Sequence, residues 1–428
     1  MTRGDYEAAI ASLSSALSLD DSFTLARRYL AVLLVRAGRS AESLPLFRTE
    51  LASEEGHTWM RDVATTAMRS PDLSSAGAYA AIAAELRWGT PSLNGSEISP
   101  PLPDIPMIPL SVPKLRHDAN QLSYLQTVGI LDSQFDTYIS RYRDIAHTLA
   151  ADGGPDARAV PDDDSYQLIR DIYNRLLYVR PTPRVERALS KAWSPAAIED
   201  EYIQRRPGIA VIDQFLTRDA LDELRAFCVE STVWFHNRYA HGRLGAFFQD
   251  GFNSALLLQI AEEVRAALPR VIGDRYPLRQ MWGFKNSLPL PAGVTTHADF
   301  AAVNVNFWIT PEEANLDDST GGLVLYDVDA PMHWDFDTYN GSDSVGAYLR
   351  NQRSKNVTIP YRQNRAIIFN SDLFHATDAV NFRDDYSSHR INVTMLYGDR
   401  EEDTHHPQPA RSQTWASSAS RNLRKARS

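Results

Sequence analysis

Apolar positions in the first fifty residues recur at helical spacing. Leu25, Ala26, Tyr29, Leu30, Leu33 and Leu34 fall three to four residues apart and predict an amphipathic helix. The pattern then repeats. Gly4 and Gly38 stand 34 residues apart, and at that offset Ile10 meets Leu44, Leu13 meets Phe47 and Leu17 meets Leu51. A 34-residue period is that of the tetratricopeptide unit, two antiparallel helices. Trp59–Met68 and Ala76–Trp88 continue helically but off that pattern. One and a half units bury too little surface to stand alone, so residues 1–88 read as a tetratricopeptide-like domain packed on the rest of the chain. It serves as a buttress, as a homodimer surface or as a groove for a protein partner.

Residues 89–113 are rich in proline (Pro91, Pro100, Pro101, Pro103, Pro106, Pro109, Pro113) and read as an extended connector. Helical spacing resumes over Leu115–Gly129, Leu131–Ala150 and Ser165–Leu177, within a helical region 114–204 expected to pack on the core. A polar loop is expected at 152–164 and a second connector at 178–205. From Gly208 the period changes. A strand at Gly208–Asp213 precedes helices at Arg218–Glu230 and Ala255–Leu268. Short strands follow at Gln280–Asn286, Val294–Asp299, Ala302–Thr310, Gly322–Tyr326, Asn356–Ile359, Arg365–Asn370 and Ile391–Tyr397. Many short strands in succession predict a sandwich or barrel over 205–398. The tail 399–428 is polar and is expected to be disordered.

Composition narrows the chemistry. The 428 residues carry 44 Lys and Arg against 54 Asp and Glu, a formal charge of −10, which disfavours a general affinity for nucleic acid. Cys228 is the single cysteine, so no intramolecular disulfide and no cysteine-based zinc or iron–sulfur site can form. No run of about 20 apolar residues predicts a membrane span, and the N-terminus lacks the pattern of a secretion signal. The expected location is cytoplasmic.

Of eleven histidines, four lie among the late strands: His297, His333, His375 and His389. In Thr295-Thr296-His297-Ala298-Asp299 the imidazole and the carboxylate alternate, so on a strand both point one way, about 7 Å apart. His375 follows the apolar run Ala366–Phe369. Two imidazoles and one carboxylate can occupy one face of an octahedral iron and leave three positions open for substrates and O2; zinc would also accept these ligands but, being redox-neutral, cannot activate O2. Arg390 opens the last strand. Arg390, Asn392 and Thr394 alternate inward, and a buried guanidinium there requires an anion. Asn304, Asn306 and Trp308 alternate on the strand after Asp299; as buried polar groups they either bind a ligand or form a structural network. Lys285 and Asn286 end a strand near the barrel mouth, and the loop Trp234–Gln249 carries Arg238, Arg243 and Gln249. His333 and His389 read as non-ligands, and Gly321-Gly322 as a turn.

His297, Asp299, His375 and Arg390, in this order and spacing, resemble the Fe(II)- and 2-oxoglutarate-dependent oxygenases. The strings HADFAAVNVNFWITPEEANLDDSTGGLVLYD, FNSDLFHATD and HRINVTMLYG resemble a bacterial branch with tetratricopeptide-like N-terminal helices. The resemblance implies an α+β chain with a double-stranded β-helix (jelly-roll, cupin-like) oxygenase domain after the helical one. It implies Fe(II) on His297, Asp299 and His375, with 2-oxoglutarate and O2 as cosubstrates. The cosubstrate would meet Arg390, Thr394, Asn306 and Trp308, and the substrate Asn304, Lys285, Arg238, Arg243 and Gln249. Asp299 stands where radical halogenases carry a small residue, which disfavours halogenation; Arg390 stands where collagen-type prolyl hydroxylases carry lysine. The implied activity is hydroxylation of a small molecule such as a free amino acid. The alternatives are a peptide or protein side-chain hydroxylase and a non-catalytic scaffold.

Overall fold

A computed structural model describes residues 3–50, 54–69, 73–89, 109–159, 163–204, 208–239, 241–293 and 295–400. Five helices open the chain: α1 (Arg3–Leu19), α2 (Thr24–Arg36), α3 (Ser40–Glu50), α4 (Glu54–Met68) and α5 (Leu73–Trp88). The buried stripe of α2, Ala26, Leu30, Ala31, Leu34 and Val35, follows the expected spacing. Helices α1 and α3 both pack on α2, and α4 packs on α5. Most of the proline-rich connector, 90–108, lies outside the described residues.

Helix α5 belongs to two cores. Its Tyr79, Ile82 and Leu86 join Phe47, Met60 and Ala64 among the helices. Ala76, Ala80, Ala84 and Trp88, on another side, join the core of the strand-rich half. The Trp88 ring stacks on Phe235 with centroids 4.2 Å apart, and its indole N–H donates to Asp250 at 2.9 Å.

The middle of the chain holds β1 (Leu110–Ser111), α6 (Val112–Thr127), α7 (Asp136–Gly153), β2 (Arg158–Ala159), α8 (Asp163–Gln167) and α9 (Pro195–Gln204). Ser111 caps α6 by accepting from the Lys114 N–H, with Pro113 in the first turn. The helix expected over Ser165–Leu177 stops at Gln167 and continues as turns. Its later backbone groups bond elsewhere: Leu176 N–H to Trp88 C=O, and Leu177 N–H to the Thr232 hydroxyl. The expected second connector contains α9, tied down where Glu199 accepts from the Arg270 and Val271 N–H groups.

The remaining elements are β3 (Ile209–Ile212), α10 (Arg218–Glu230), β4 (Arg243–Phe247), α11 (Ala255–Ala267), β5 (Leu278–Asn286), β6 (Val303–Trp308), β7 (Leu323–Asp329), α12 (Phe336–Tyr339), α13 (Ser342–Gln352), β8 (Asn356–Ile359), β9 (Ala366–Asn370), β10 (Leu373–Thr377) and β11 (Arg390–Tyr397). They form two antiparallel sheets, one in the order β3-β9-β6-β11-β5-β4 and one in the order β10-β7-β8. Four expectations change here. Residues 295–299 form no strand; His297 makes a single bridge to His375. The loop Trp234–Gln249 contains β4, and His375 lies within a strand, β10. Asp399 and Arg400, expected to begin a disordered tail, are held in place. Asp399 pairs with Arg69 and Arg279, and Arg400 pairs with Asp372. Residues 401–428 lie outside the described residues.

The two faces of the larger sheet differ in kind. Val303, Val305, Phe307, Ile391, Val393 and Met395 point outward into a core shared with α10 and α11. The inner face carries Asn304, Asn306, Asn392, Thr394, Arg390 and Asn286, all buried. Register places them together: Arg390 opposite Asn286, Asn392 opposite Trp308, and Thr394 opposite Asn306. A sheet interior built of amides and a guanidinium is costly unless a ligand or network satisfies it. Among the described residues no helix is long and apolar enough to cross a membrane.

Candidate metal centre and adjoining pocket

His297, Asp299 and His375 are the one group among the described residues whose ligand atoms could share a metal ion, all lying within 4.8 Å of one another. The backbone brings them there. Thr295, at φ +59°, turns the chain into the site. His297 and His375 then exchange both N–H···O bonds, at 3.0 and 2.8 Å, so one bridge joins the ligand segments. The Asp299 N–H donates to the Ser371 C=O at 3.1 Å, fixing the third ligand.

Both rings have a fixed orientation. Nδ1 of His297 lies 2.6 Å from the Thr295 carbonyl, and Nδ1 of His375 lies 3.0 Å from the Leu373 carbonyl. A carbonyl only accepts, so each Nδ1 carries a proton and each Nε2 is the ring atom left to face a metal. Those Nε2 atoms face the Asp299 carboxylate at 3.7 and 3.4 Å. Burial, with the His375 ring beside it, pulls the His297 pKa down to about 4, so the imidazole is neutral near pH 7. Burial raises the Asp299 carboxyl, but the two histidines outweigh it and hold it below the usual carboxylate range. The neutral His297 imidazole and the ionised Asp299 carboxylate are thus in the forms that bind a cation. Asn304 donates its amide N–H to Asp299 Oδ2 at 2.6 Å; it therefore touches the carboxylate rather than the cavity.

A cavity of about 450 Å³ opens beside His297 and Asp299. Arg238 and Arg243 line it, as do Tyr239, Phe247, Trp282 and Phe284. Gln249 does not line it; Gln280 does, and its amide N–H donates to Gln249 Oε1 at 3.4 Å. Lys285 faces the other way. In register opposite Ile391, it projects to the outer face of β5 and meets His117 Nε2, the Cys228 carbonyl and the Tyr386 hydroxyl at 3.1–3.2 Å. The expectation that it touches substrate is therefore corrected: a strand alternates faces at every residue, and Asn286 takes the inner one.

Arg390 lies deeper between the sheets and is only 1% exposed. Its Nε donates to the Gly321 carbonyl at 2.6 Å, Nη1 to Asn392 Oδ1 at 3.0 Å and Nη2 to the Gly322 carbonyl at 3.3 Å. These bonds use three of the five guanidinium N–H groups and leave one on each Nη, the pair that grips a carboxylate. No acidic side chain among the described residues lies within ion-pair distance of it. Trp308 stands against the guanidinium, 5.7 Å from ring centroid to charge. Burial draws the Arg390 pKa down to about 9, and the group stays charged at neutral pH. Around it several buried atoms have no partner: both polar atoms of Asn286, Asn306 Oδ1 and Trp308 Nε1. Thr394 Oγ1 accepts from Asn306 at 2.8 Å, which frees its own hydrogen to donate. Unsatisfied amides around an unpaired cation fit a bound acid. Gly321 and Gly322, read from sequence as a plain turn, supply the carbonyls that orient Arg390. A Cβ on Gly322 would collide with the Ile359 carbonyl, a constraint of two approaching backbones that sequence spacing does not reveal.

No family model matches the chain, and no curated protein matches it. Solved structures do. One is the non-haem α-ketoglutarate-dependent carbocyclase SnoK from nogalamycin biosynthesis, 13% identical over 49% of this chain and 87% of that one, with a TM-score of 0.35. Another is a Pseudomonas putida prolyl-4-hydroxylase, 13% identical over 49% of this chain and 100% of that one, TM-score 0.31. A third is the epimerase SnoN in complex with Fe3+, α-ketoglutarate and nogalamycin RO, 13% identical over 48% of this chain and 85% of that one, TM-score 0.34. At these identities and scores the likeness carries no residue role and no substrate over to this chain.

Proposed function

We propose that the chain is an Fe(II)- and 2-oxoglutarate-dependent oxygenase acting on a small molecule, with the two sheets forming a double-stranded β-helix. One observation carries this reading: a two-histidine, one-carboxylate cluster shares its sheet interior with a buried, unpaired guanidinium that has two N–H groups to spare. The donor set suits non-haem Fe(II), since three facial ligands leave positions open. His297, Asp299 and His375 would hold the metal, and Asn304 would orient the carboxylate. Arg390 would hold the far carboxylate of the keto acid, with Thr394, Asn306 and Trp308 donating or accepting beside it. When bound, the metal and keto acid supply the oxidation in which substrate C–H, O2 and 2-oxoglutarate become alcohol, succinate and CO2. The chain's own part is positioning and exclusion of water.

The N-terminal helices read best as a buttress of this site, because α5 shares the core of the sheets. A free amino acid is the weaker fit for the cavity: Asp299 is the only carboxylate lining it, and once the metal takes it no free anionic side chain of the lining is left to pair with an α-ammonium.

The test is binding and turnover in the purified protein. Loaded with Fe(II), it is expected to bind 2-oxoglutarate by calorimetry and to release succinate slowly even without substrate. His375→Ala is expected to abolish both metal uptake and succinate. Arg390→Met is expected to keep the metal and to weaken 2-oxoglutarate on the order of 100-fold, the loss typical of a buried charge pair. A metal-loaded wild type that takes up no 2-oxoglutarate would overturn the reading.

A further inference from the structure

The cavity beside the triad is walled by six aromatic rings in continuous edge or tilted contact. Tyr239 meets Phe284 at 4.9 Å between centroids, and Phe284 meets Phe247 at 6.2 Å. Phe247 meets Trp282 at 6.1 Å, Trp282 meets Phe300 at 6.1 Å, and Phe300 meets Phe336 at 6.3 Å. Such a wall favours a flat apolar body, which stacks at low cost in ordering.

One cation interrupts the wall. Arg243 lies with its guanidinium carbon 3.9 Å from the Phe284 ring centroid and 5.8 Å from that of Tyr239. Stacking holds its plane, yet its Nε is buried without a hydrogen-bond partner. No carboxylate among the described residues pairs with it. Burial lowers its pKa, and the nearby Asp299 charge works against that. Arg238, exposed at the mouth, is bound to the Tyr239 hydroxyl at 3.1 Å. Once Asp299 is committed to a metal, the lining is positive.

We infer that this cavity takes a flat aromatic or polycyclic molecule bearing a carboxylate, with Arg243 as the group that grips the anion. This rests on the oxygenase reading and adds the substrate class. The competing role for Arg243 is to hold a carboxylate of 2-oxoglutarate itself. Arg390 argues against that, since it already offers two free donors deeper on the same inner face. Arg243 stands instead on the edge strand β4, where it lines the open cavity and Arg390 does not. The anion's position next to His297 and Asp299 places the ring system within reach of the metal.

The experiment is calorimetric titration of the full chain, loaded with Mn(II) and saturated with 2-oxoglutarate, using 2-naphthoate and its neutral twin 2-naphthamide as probes. Wild type is expected to prefer the acid by about tenfold or more, the value of a charge-assisted hydrogen bond. Arg243→Gln is expected to bring that ratio to about one by weakening the acid alone, and Arg243→Lys to restore part of it. The affinity of Mn(II)-loaded Arg243→Gln for 2-oxoglutarate is expected to stay within about threefold of wild type, since no stacked contact with the keto acid is lost. A wild-type ratio near one overturns the inference. So does a preference that survives in Arg243→Gln, or a loss that falls on 2-oxoglutarate instead. Failure of the oxygenase reading is visible separately, as wild type that binds no 2-oxoglutarate. The probe ratio is then read on the protein without it.

Discussion

Asn304 shows how much a single side chain decides here. Its amide N–H reaches Asp299 Oδ2 at 2.6 Å while its own Oδ1 has no partner. It fixes Oδ2, the oxygen 3.4 Å from His375 Nε2, and so leaves Oδ1 facing His297 Nε2 at 3.7 Å. Residues that hold a ligand in this way typically contribute 10- to 100-fold to metal affinity. Asn304→Ala is therefore expected to weaken Mn(II) binding by about that factor while the fold persists. Competition with a chelating dye measures the first, and thermal unfolding the second; unchanged metal affinity would remove Asn304 from the site. The alternation Asn304, Asn306, Trp308 was readable in the sequence, and so was their common face. Which of them meets the carboxylate was not, because that depends on how the chain turns between Asp299 and β6. Lys285 and Asn286 make the same point. Both are buried at the end of one strand, and only the pairing of Asn286 with Arg390 shows which one faces inward.

At the scale of elements, the ligand spacing was legible and the local structure was not. His-x-Asp fits a strand, but positive φ at Gly293 and Thr295 bends these residues into a loop, and the bridge to His375 does the work a strand would have done. β10 was not legible because only Ser371 and Asp372 separate it from β9, and its five residues follow that tight turn directly. Helix α6 hid another feature. Its buried face carries Lys114, His117, Asp118 and Gln121, a polar seam against the outer side of the sheet. His117 Nδ1 meets Asp118 at 3.0 Å and Nε2 meets Lys285 at 3.2 Å. Burial, and then the Lys285 charge, lower its pKa to about 3. An unfolded chain binds that proton near pH 6.5, so between pH 6.5 and 3 protons favour unfolding. The stability that neutral burial contributes is complete above pH 6.5 and is lost as pH falls. His297 and His389, both lowered to about 4, act in the same direction. Urea unfolding at pH 7.0, 5.5 and 4.5 is expected to show falling stability, with a shallower fall in His117→Asn. An equal slope in the two proteins would mean that His117 does not titrate on unfolding.

The whole molecule joins its two textures through α5. The 34-residue period suggested helices that lean on the rest of the chain, and the core composition shows how they do so. Trp88 is buried, stacks on Phe235 and bonds to Asp250. The same carboxylate takes Arg87 at 3.2 Å and His236 Nε2 at 2.7 Å. The His236 ring in turn meets Phe247, part of the cavity wall, edge-on at 4.6 Å. A helix that only leaned on the surface would unfold by itself. One whose tryptophan completes the core of the sheets must unfold with them. Trp88→Ala is expected to cost about 3–5 kcal/mol, the usual loss for a large buried ring, and calorimetry is expected to show one transition moved as a whole. Two transitions, with only the earlier one shifted, would make the helices a separate unit. Because Asp250 and His236 connect this junction to Phe247, the same variant is expected to bind 2-naphthoate more weakly while its metal affinity is kept. The aromatic wall depends on that packing, and the triad is held by hydrogen bonds of its own.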